Sequence, residues 1–334
     1  MIPSGNNNRF DTINAGYNRV FQPGRLSIGL VIPLENYASG SVPLMRHHRQ
    51  RAQLAEQAGF SALWLRDVPF NVPSFGDAGQ VFDPFVYLGY LAAHTQRIAL
   101  GVASLVLPLR HPGHVAKAAA SVDQLSEGRL ILGVASGDRP DEYPAFRQNH
   151  GNRGQRFRDS VDYIRRMAEA SPSLDNSFGH SAGHMDMLPK PQAGKLPLLV
   201  TGASQQTTQW AAQHSDGWIT YPRDIETQQT AVEQWRSQLP QPERFSKPVM
   251  QSLYVDLAPQ ADAAPVPIHL GFRSGINPLK RYLASLEAIG VNHVALNLRY
   301  NRAETESTLQ QLAEELLPLF PAEDPSSIAP KEVI

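Results

Sequence analysis

Apolar runs alternate with helical periodicities along the whole chain. Leu26–Leu34 (LSIGLVIPL), Ala62–Leu65 (ALWL), Ile98–Leu107 (IALGVASLVL) and Leu130–Ala135 read as strands buried on both faces. Helical spacing follows each of them, over Leu44–Ala58, Pro84–His94, His114–Leu125 and Phe157–Glu169. The second half keeps the rhythm, with strands at Leu198–Thr201, Gly217–Thr220, Val249–Leu257 and Val294–Leu298. Their helices are Thr207–His214, Thr227–Gln238, Pro278–Ile289 and Thr308–Leu317. Gly59 and Gly290 stand where helices should stop, and Pro318 ends the last one.

Near-continuous apolar strands predict parallel strands covered by helices. Eight strand-then-helix units favour closure into an α/β fold of the (β/α)8 TIM-barrel type, with insertion loops at the C-terminal mouth. An open doubly wound sheet with extra elements is the alternative. Residues 1–25 form an N-terminal extension, 26–320 one barrel domain and 321–334 a C-terminal tail. The Asn-rich start and the tail read as loosely ordered ends. Two long connections, Pro172–Pro197 and Pro259–Gly275, are rich in Pro, Gly and polar residues. They are read as loops and as candidate substrate lids.

Composition narrows the picture. The chain has 334 residues, 18% charged, and a formal net charge of −1. Nothing in that balance forces a basic surface, so a nucleic-acid partner is not expected. The absence of cysteine excludes disulfides, thiolate metal sites and a cysteine nucleophile, and fits a cytoplasmic location. No stretch has the length of a membrane span, and the N-terminus has no signal-peptide pattern.

In a barrel of this kind, chemistry gathers at the C-terminal strand ends. Those ends carry Glu35-Asn36, Arg66-Asp67, Ser104, Ser136-Gly137-Asp138-Arg139, Gly202-Ala203-Ser204, Tyr221-Pro222-Arg223 and Asn297 to Arg299. Polar and small residues thus converge at one end of an apolar cylinder. The clearest ligand signal is LLVTGASQQTT, Leu198–Thr208, where a strand runs into Gly-Ala-Ser and then a helix. Free N–H groups and a positive dipole make such a helix start a phosphate site. Gly202 allows close approach, and Ser204 and Thr207 carry hydroxyls. An ordinary N-cap by Ser204 explains the same residues without a ligand.

Other candidates have plainer readings. His111 is read as positioning the following helix, and His47 and His48 as solvated. His180, His184 and Asp186 lack a further ligand, so no metal site is expected. Asp138, Asp141 and Glu142 are candidate acid–base groups or capping residues. Walker, Gly-x-Ser-x-Gly, His-Glu-x-x-His and dinucleotide motifs are absent.

Several segments in order, AEQAGFSALWLRD, LPLRHP, KAAASVDQLSEGRL, TGASQQTTQWAAQHSDGW and GVNHVALNLR, are similar to motifs of the luciferase-like flavin-dependent monooxygenases. The resemblance spans about Leu26 to Arg299. It implies an FMN-dependent oxidoreductase that uses reduced flavin and oxygen on a small organic substrate. NAD(P)H would be the electron source, acting directly or through a separate flavin reductase, and a homodimer is implied as well. The resemblance puts the FMN phosphate on Gly202, Ala203, Ser204 and Thr207. Ser136, Gly137 and Tyr143 would border the flavin, over a non-proline cis bond at Ala103–Ser104. Catalytic candidates are Arg66, Asp67, Asp138 and Tyr221, with Arg223 and Arg299 for a substrate anion. Arg66 and Asp67 are equally readable as a structural salt bridge. The histidine that bacterial luciferase has near the end of strand two is missing here, so light emission is not implied. Three other readings remain: a deazaflavin-dependent hydride transferase of the same fold, a non-catalytic flavin-binding protein, or an unrelated barrel such as a sugar-phosphate isomerase.

Overall fold

The computed structural model describes residues 10–239 and 247–322. Eight parallel strands form the barrel: β1 Ser27–Val31, β2 Ala62–Leu65, β3 Ala99–Val106, β4 Leu130–Ala135, β5 Leu198–Thr201, β6 Gly217–Thr220, β7 Val249–Leu257 and β8 His293–Asn297. Each pairs with the next, β8 pairs with β1, and the cylinder closes. Eight helices follow the strands in turn: α1 His48–Ala58, α2 Pro84–His94, α3 Pro112–Leu125, α4 Arg153–Arg166, α5 Thr208–His214, α6 Ile225–Ser237, α7 Ile276–Ala288 and α8 Thr305–Leu316. The open-sheet alternative is therefore wrong. The apolar face of each helix and the outward residues of the strands share one core.

Inside the cylinder, large and small residues alternate so that the centre fills. The Trp64 indole occupies the space beside Gly101, where an added Cβ would stand 2.3 Å from the ring. Val31, Ile131, Leu199, Ile219 and Met250 complete this interior layer. The N-terminal extension closes the bottom. Its helix Ala15–Val20 is capped by Asn14 and buries Tyr17, Val20 and Phe21 against the interior. The Asn14 amide also donates to Asp123 and to the Leu130 carbonyl. Residues 10–25 are thus part of the barrel rather than a loose end; the Asn-rich start and residues 323–334 lie outside the described residues.

The two long connections behave differently from simple loops. Pro172–Pro197 holds an antiparallel hairpin, Ser173–Asn176 with Gly179–Ala182. It lies along the outside of α3 and α4, where Gln124 donates to the Lys190 carbonyl at 2.9 Å and Asn176 to the Asp159 carbonyl at 3.1 Å. It is a brace, not a lid. Pro259–Gly275 also folds into a hairpin, Val266–Ile268 with Gly271–Ser274. Its second strand extends β7 at the mouth and brings Leu270 to the cavity wall. His48 is not solvated as expected: its Nδ1 lies 2.9 Å from the Tyr87 hydroxyl. His111 does cap α3, accepting from the Gly113 amide at 3.1 Å.

Candidate functional site

A cavity of about 530 Å³ opens at the C-terminal end of the barrel. That size lies within the range of about 300–1,000 Å³ usual for small-molecule and cofactor sites. Its floor is the upper interior layer, Val31, Ala103, Ile219, Met250 and Ala295. Strand ends supply the wall. Arg66, Asp67, Ser104, Ser136, Gly137, Asp138, Gly202, Ala203, Ser204 and Tyr221 all line it, as the strand-end reading expects.

On one side stands the turn after β5. Gly202, Ser204 and Gln205 all have positive φ, at 54°, 45° and 61°. The turn is pinned from outside: the Gly202 amide donates to the Ile219 carbonyl at 2.8 Å, and Trp218 Nε1 donates to the Gly202 carbonyl at 3.0 Å. The N–H groups of Ala203, Ser204 and Gln205 have no acceptor among the described residues. Left-handed residues in succession curl such amides into an anion-binding concavity.

Here the sequence reading needs correction. The helix does not start at Ser204. Thr207 is the N-cap, its hydroxyl accepting from the Trp210 amide at 3.1 Å, and it lies outside the cavity wall. The Ser204 hydroxyl donates to the Thr201 carbonyl at 2.7 Å, so its one proton is already committed. The turn therefore offers loop amides, not hydroxyl protons, to the cavity.

Arg153 stands beside this turn and was missed from the sequence. It opens α4 and lines the same cavity. Its Nη1 donates to the His150 carbonyl at 2.9 Å, while its buried Nε has no partner. Gly154 lets α4 approach the β5 turn: an added Cβ would sit 3.0 Å from the Gln205 Cβ. Gln206 Nε2 then bonds the Gly154 carbonyl at 2.8 Å. A glycine in a first helical turn was the available clue. His150 also lines the wall, and its imidazole is lowered by burial and by Arg153.

Between the walls, the Ala103–Ser104 peptide is cis, and β3 changes register against β4 there. The Ser104 hydroxyl meets that of Thr201. Opposite, Gly137 (φ 80°) leaves no room for a side chain: an added Cβ would stand 2.7 Å from Val106 and 2.9 Å from the Tyr143 hydroxyl. Tyr143 itself is fully buried behind Gly137, donating to the Ser136 carbonyl, and does not reach the wall.

The charged candidates divide. Arg66 and Asp67 do not pair with each other. Asp67 forms a two-point ion pair with Arg110 at 2.8 and 3.0 Å and also accepts from the Val106 amide at 3.0 Å. Arg66 pairs with Asp77. Arg299 is buried and reaches the same Asp77 carboxylate at 3.0 Å. Burial alone would raise the Asp77 carboxyl, but Arg66, the Gly79 amide and Arg299 outweigh it and hold it below its ordinary value. Arg223 bonds Thr220, Gln228 and the Tyr221 carbonyl. Neither Arg223 nor Arg299 lines the cavity, so the substrate-anion role expected of them has no geometry behind it. Asp138 is exposed at the rim. Tyr221 faces it, its hydroxyl raised by burial and then by Asp138. Among the described residues no cluster of metal-ligating side chains occurs.

Known proteins share this barrel fold. The family model for luciferase-like monooxygenases matches residues 26–317. The chain is 33% identical over 192 residues to an uncharacterised Mycobacterium tuberculosis protein, covering 52% of this chain and 67% of that one. It is 30% identical to the alkanal monooxygenase alpha chain of Photorhabdus luminescens (53% of this chain, 49% of the relative). It is 33% identical to an F420-dependent glucose-6-phosphate dehydrogenase of Beutenbergia cavernae (50% and 49%). Among solved structures, the FMN complex of the oxygenating constituent of 3,6-diketocamphane monooxygenase from Pseudomonas putida superposes with a TM-score of 0.67. It is 15% identical, covering 90% of this chain and all of that one. An F420-dependent secondary alcohol dehydrogenase gives 0.71 at 15% identity, with 87% and 98% covered. A match over nearly the whole barrel settles kinship: this chain belongs to the luciferase-like monooxygenase family.

Proposed function

We propose that the protein is an FMN-dependent oxidoreductase, acting as a monooxygenase with reduced flavin and oxygen on a small organic substrate. The observation that carries this reading is the anion site of the β5 turn, with the unpartnered Arg153 Nε beside it. A phosphate monoester offers the acceptors those groups lack. The residues present fit a flavin mononucleotide: an amide concavity for phosphate, and small residues Ala103, Ser104 and Gly137 around a cavity of adequate size. When bound, reduced FMN supplies the electrons and the reaction with oxygen. NAD(P)H is their source in this reading, either in place or through a separate reductase.

The chain's own residues then do four things. Gly202 to Gln205 and Arg153 bind the anionic end. The Ala103–Ser104 backbone and Gly137 leave a flat space at the centre of the mouth. The apolar floor, with Trp64 beneath it, excludes water from below. Tyr221 holds a proton at the rim, where a substrate enters, with Asp138 beside it. A homodimer is part of this reading by resemblance alone.

Arg153→Met is expected to weaken FMN binding by about 1.5–3 kcal/mol, roughly 10- to 150-fold. Ser204→Ala should change it far less, because the serine proton is held by Thr201. Fluorescence quenching of free FMN on titration with protein measures both. Equal affinity in wild type and Arg153→Met would refute the phosphate placement. The F420-dependent relatives give a second reading, hydride transfer with a deazaflavin coenzyme. Titrating F420 in parallel separates the two: tenfold tighter binding of F420 than of FMN would replace the flavin reading.

A further inference from the structure

We propose that Arg139, with Arg66 beside it, forms a second anion-binding subsite in this cavity, for the acidic head group of a small organic substrate. The proposal rests on the reading of the cavity as an oxidoreductase site and names the substrate class.

Arg139 is 6% exposed, yet it lines the cavity. Its Nη2 donates to the Asp77 main-chain carbonyl at 2.9 Å, and its Nη1 is buried with no partner among the described residues. The guanidinium lies 4.4 Å over the Phe75 ring, which fixes its plane. A cation held this firmly with one unused donor is built to receive an acceptor from the cavity.

Local charge supports an anion. Asp77 is the carboxylate nearest Arg66 and Arg299, and it already serves both. Arg139 reaches only its carbonyl. The remaining acidic neighbours are Glu142 and Asp138, and no ion pair within 4 Å joins either to Arg139 among the described residues. Glu142 is buried, its Oε1 also lacks a partner, and burial raises its carboxyl toward the neutral form. At this corner Arg66 and Arg299 share one carboxylate, Asp77, and Arg139 has no carboxylate in contact among the described residues.

This corner is not the phosphate site. Arg139 sits on the β4–α4 connection and packs on Phe75 and Asp77, which follow β2. Arg153 and the β5 turn stand together on the other side of β4. One cavity thus has two cationic poles, and a cofactor phosphate uses one. Val68, Phe75 and Leu270 line the wall and offer apolar contact to the body of the substrate.

Hexanoate, hexane-1-sulfonate and the neutral hexan-1-ol are suitable probes, with binding followed by calorimetry on wild type, Arg139→Met and Arg139→Lys. The tighter of the two anions should bind wild type at least tenfold better than hexan-1-ol. It should weaken about tenfold or more in Arg139→Met and recover only in part in Arg139→Lys, which keeps the charge but not the two-point geometry, with hexan-1-ol unchanged throughout. FMN affinity should change less than threefold in Arg139→Met. No preference for the anions, or equal anion binding in wild type and Arg139→Met, overturns the subsite. So does a loss of FMN binding that matches the loss of anion binding, which would give Arg139 to the cofactor. Arg139-dependent anion binding in a protein that fails to bind FMN would keep the subsite and discard the flavin reading.

Discussion

Replacing Asp77 by alanine is expected to cost about 3–5 kcal/mol of folding stability, the usual effect of removing one member of a buried ion pair. Asp77 is 7% exposed and its carboxylate is the hub of the mouth. Arg66 and Arg299 reach Oδ2, and the Gly79 amide reaches Oδ1 at 2.8 Å. The hydroxyls of Tyr37 and Tyr254 add contacts at 3.2 and 3.3 Å. Burial pulls the Arg66 guanidinium down, but Asp77 and the two tyrosines outweigh it and the net shift is upward. Without the carboxylate, two guanidinium groups would face each other in a partly buried space. Asp77→Asn, which keeps an acceptor but no charge, should fall between wild type and alanine. Adding Arg66→Met to Asp77→Ala should recover part of the loss, with a coupling above about 1 kcal/mol. Urea denaturation at pH 7.5 of wild type, these three variants and Arg66→Met alone gives all five values and closes the cycle. A loss under about 1 kcal/mol for Asp77→Ala would mean that the hub holds nothing together.

That hub also explains how much of the site could be read from the sequence. Strand ends were legible because a parallel strand buried on both faces is one unbroken apolar run, and its end is where polarity begins. The limits Ala62–Leu65, Leu130–Ala135, Leu198–Thr201, Gly217–Thr220 and Val249–Leu257 match the structure to the residue. Partners were not legible. Arg66 stands next to Asp67 in the chain, just past the end of β2, yet each pairs with a residue brought in from elsewhere, Asp77 and Arg110. Arg153 fell before the expected helix start at Phe157, and only the adjacent Gly154 hinted at a close approach to a loop nearly fifty residues on. The hairpins at 173–182 and 266–274 are short and largely exposed, so no apolar alternation announced them. The N-terminal helix has six residues, too few for a periodic signal, and its stability comes from packing rather than propensity.

His293 is the other residue whose importance is visible only in three dimensions, and it makes the fold acid-sensitive. It sits at the start of β8, fully buried in the barrel floor. Its Nε2 accepts from Trp64 Nε1 at 2.8 Å, and its Nδ1 lies 2.7 Å from the Ser27 hydroxyl, which itself donates to the Val20 carbonyl. The ring is therefore neutral, with its proton on Nδ1. Burial, opposed only weakly by the Ser27 contact, pushes its pKa down from 6.5 to about 3. A depressed histidine is protonated first in the unfolded chain. Its contribution is complete above pH 6.5 and is lost as pH falls toward 3. The loss reaches about 2 kcal/mol at pH 5 and about 5 kcal/mol below pH 3, at 1.36 kcal/mol per pH unit. His293→Gln keeps polar atoms near Trp64 but cannot titrate. It should be less stable than wild type at pH 7.5, by about 1–3 kcal/mol from imperfectly paired donors. Between pH 7.5 and 5 it should lose about 2 kcal/mol less than wild type, because the carboxylates common to both proteins contribute equally. Urea midpoints at the two pH values, with equal slopes, measure that difference. Parallel losses in the two proteins would show that His293 is not held neutral beneath the barrel.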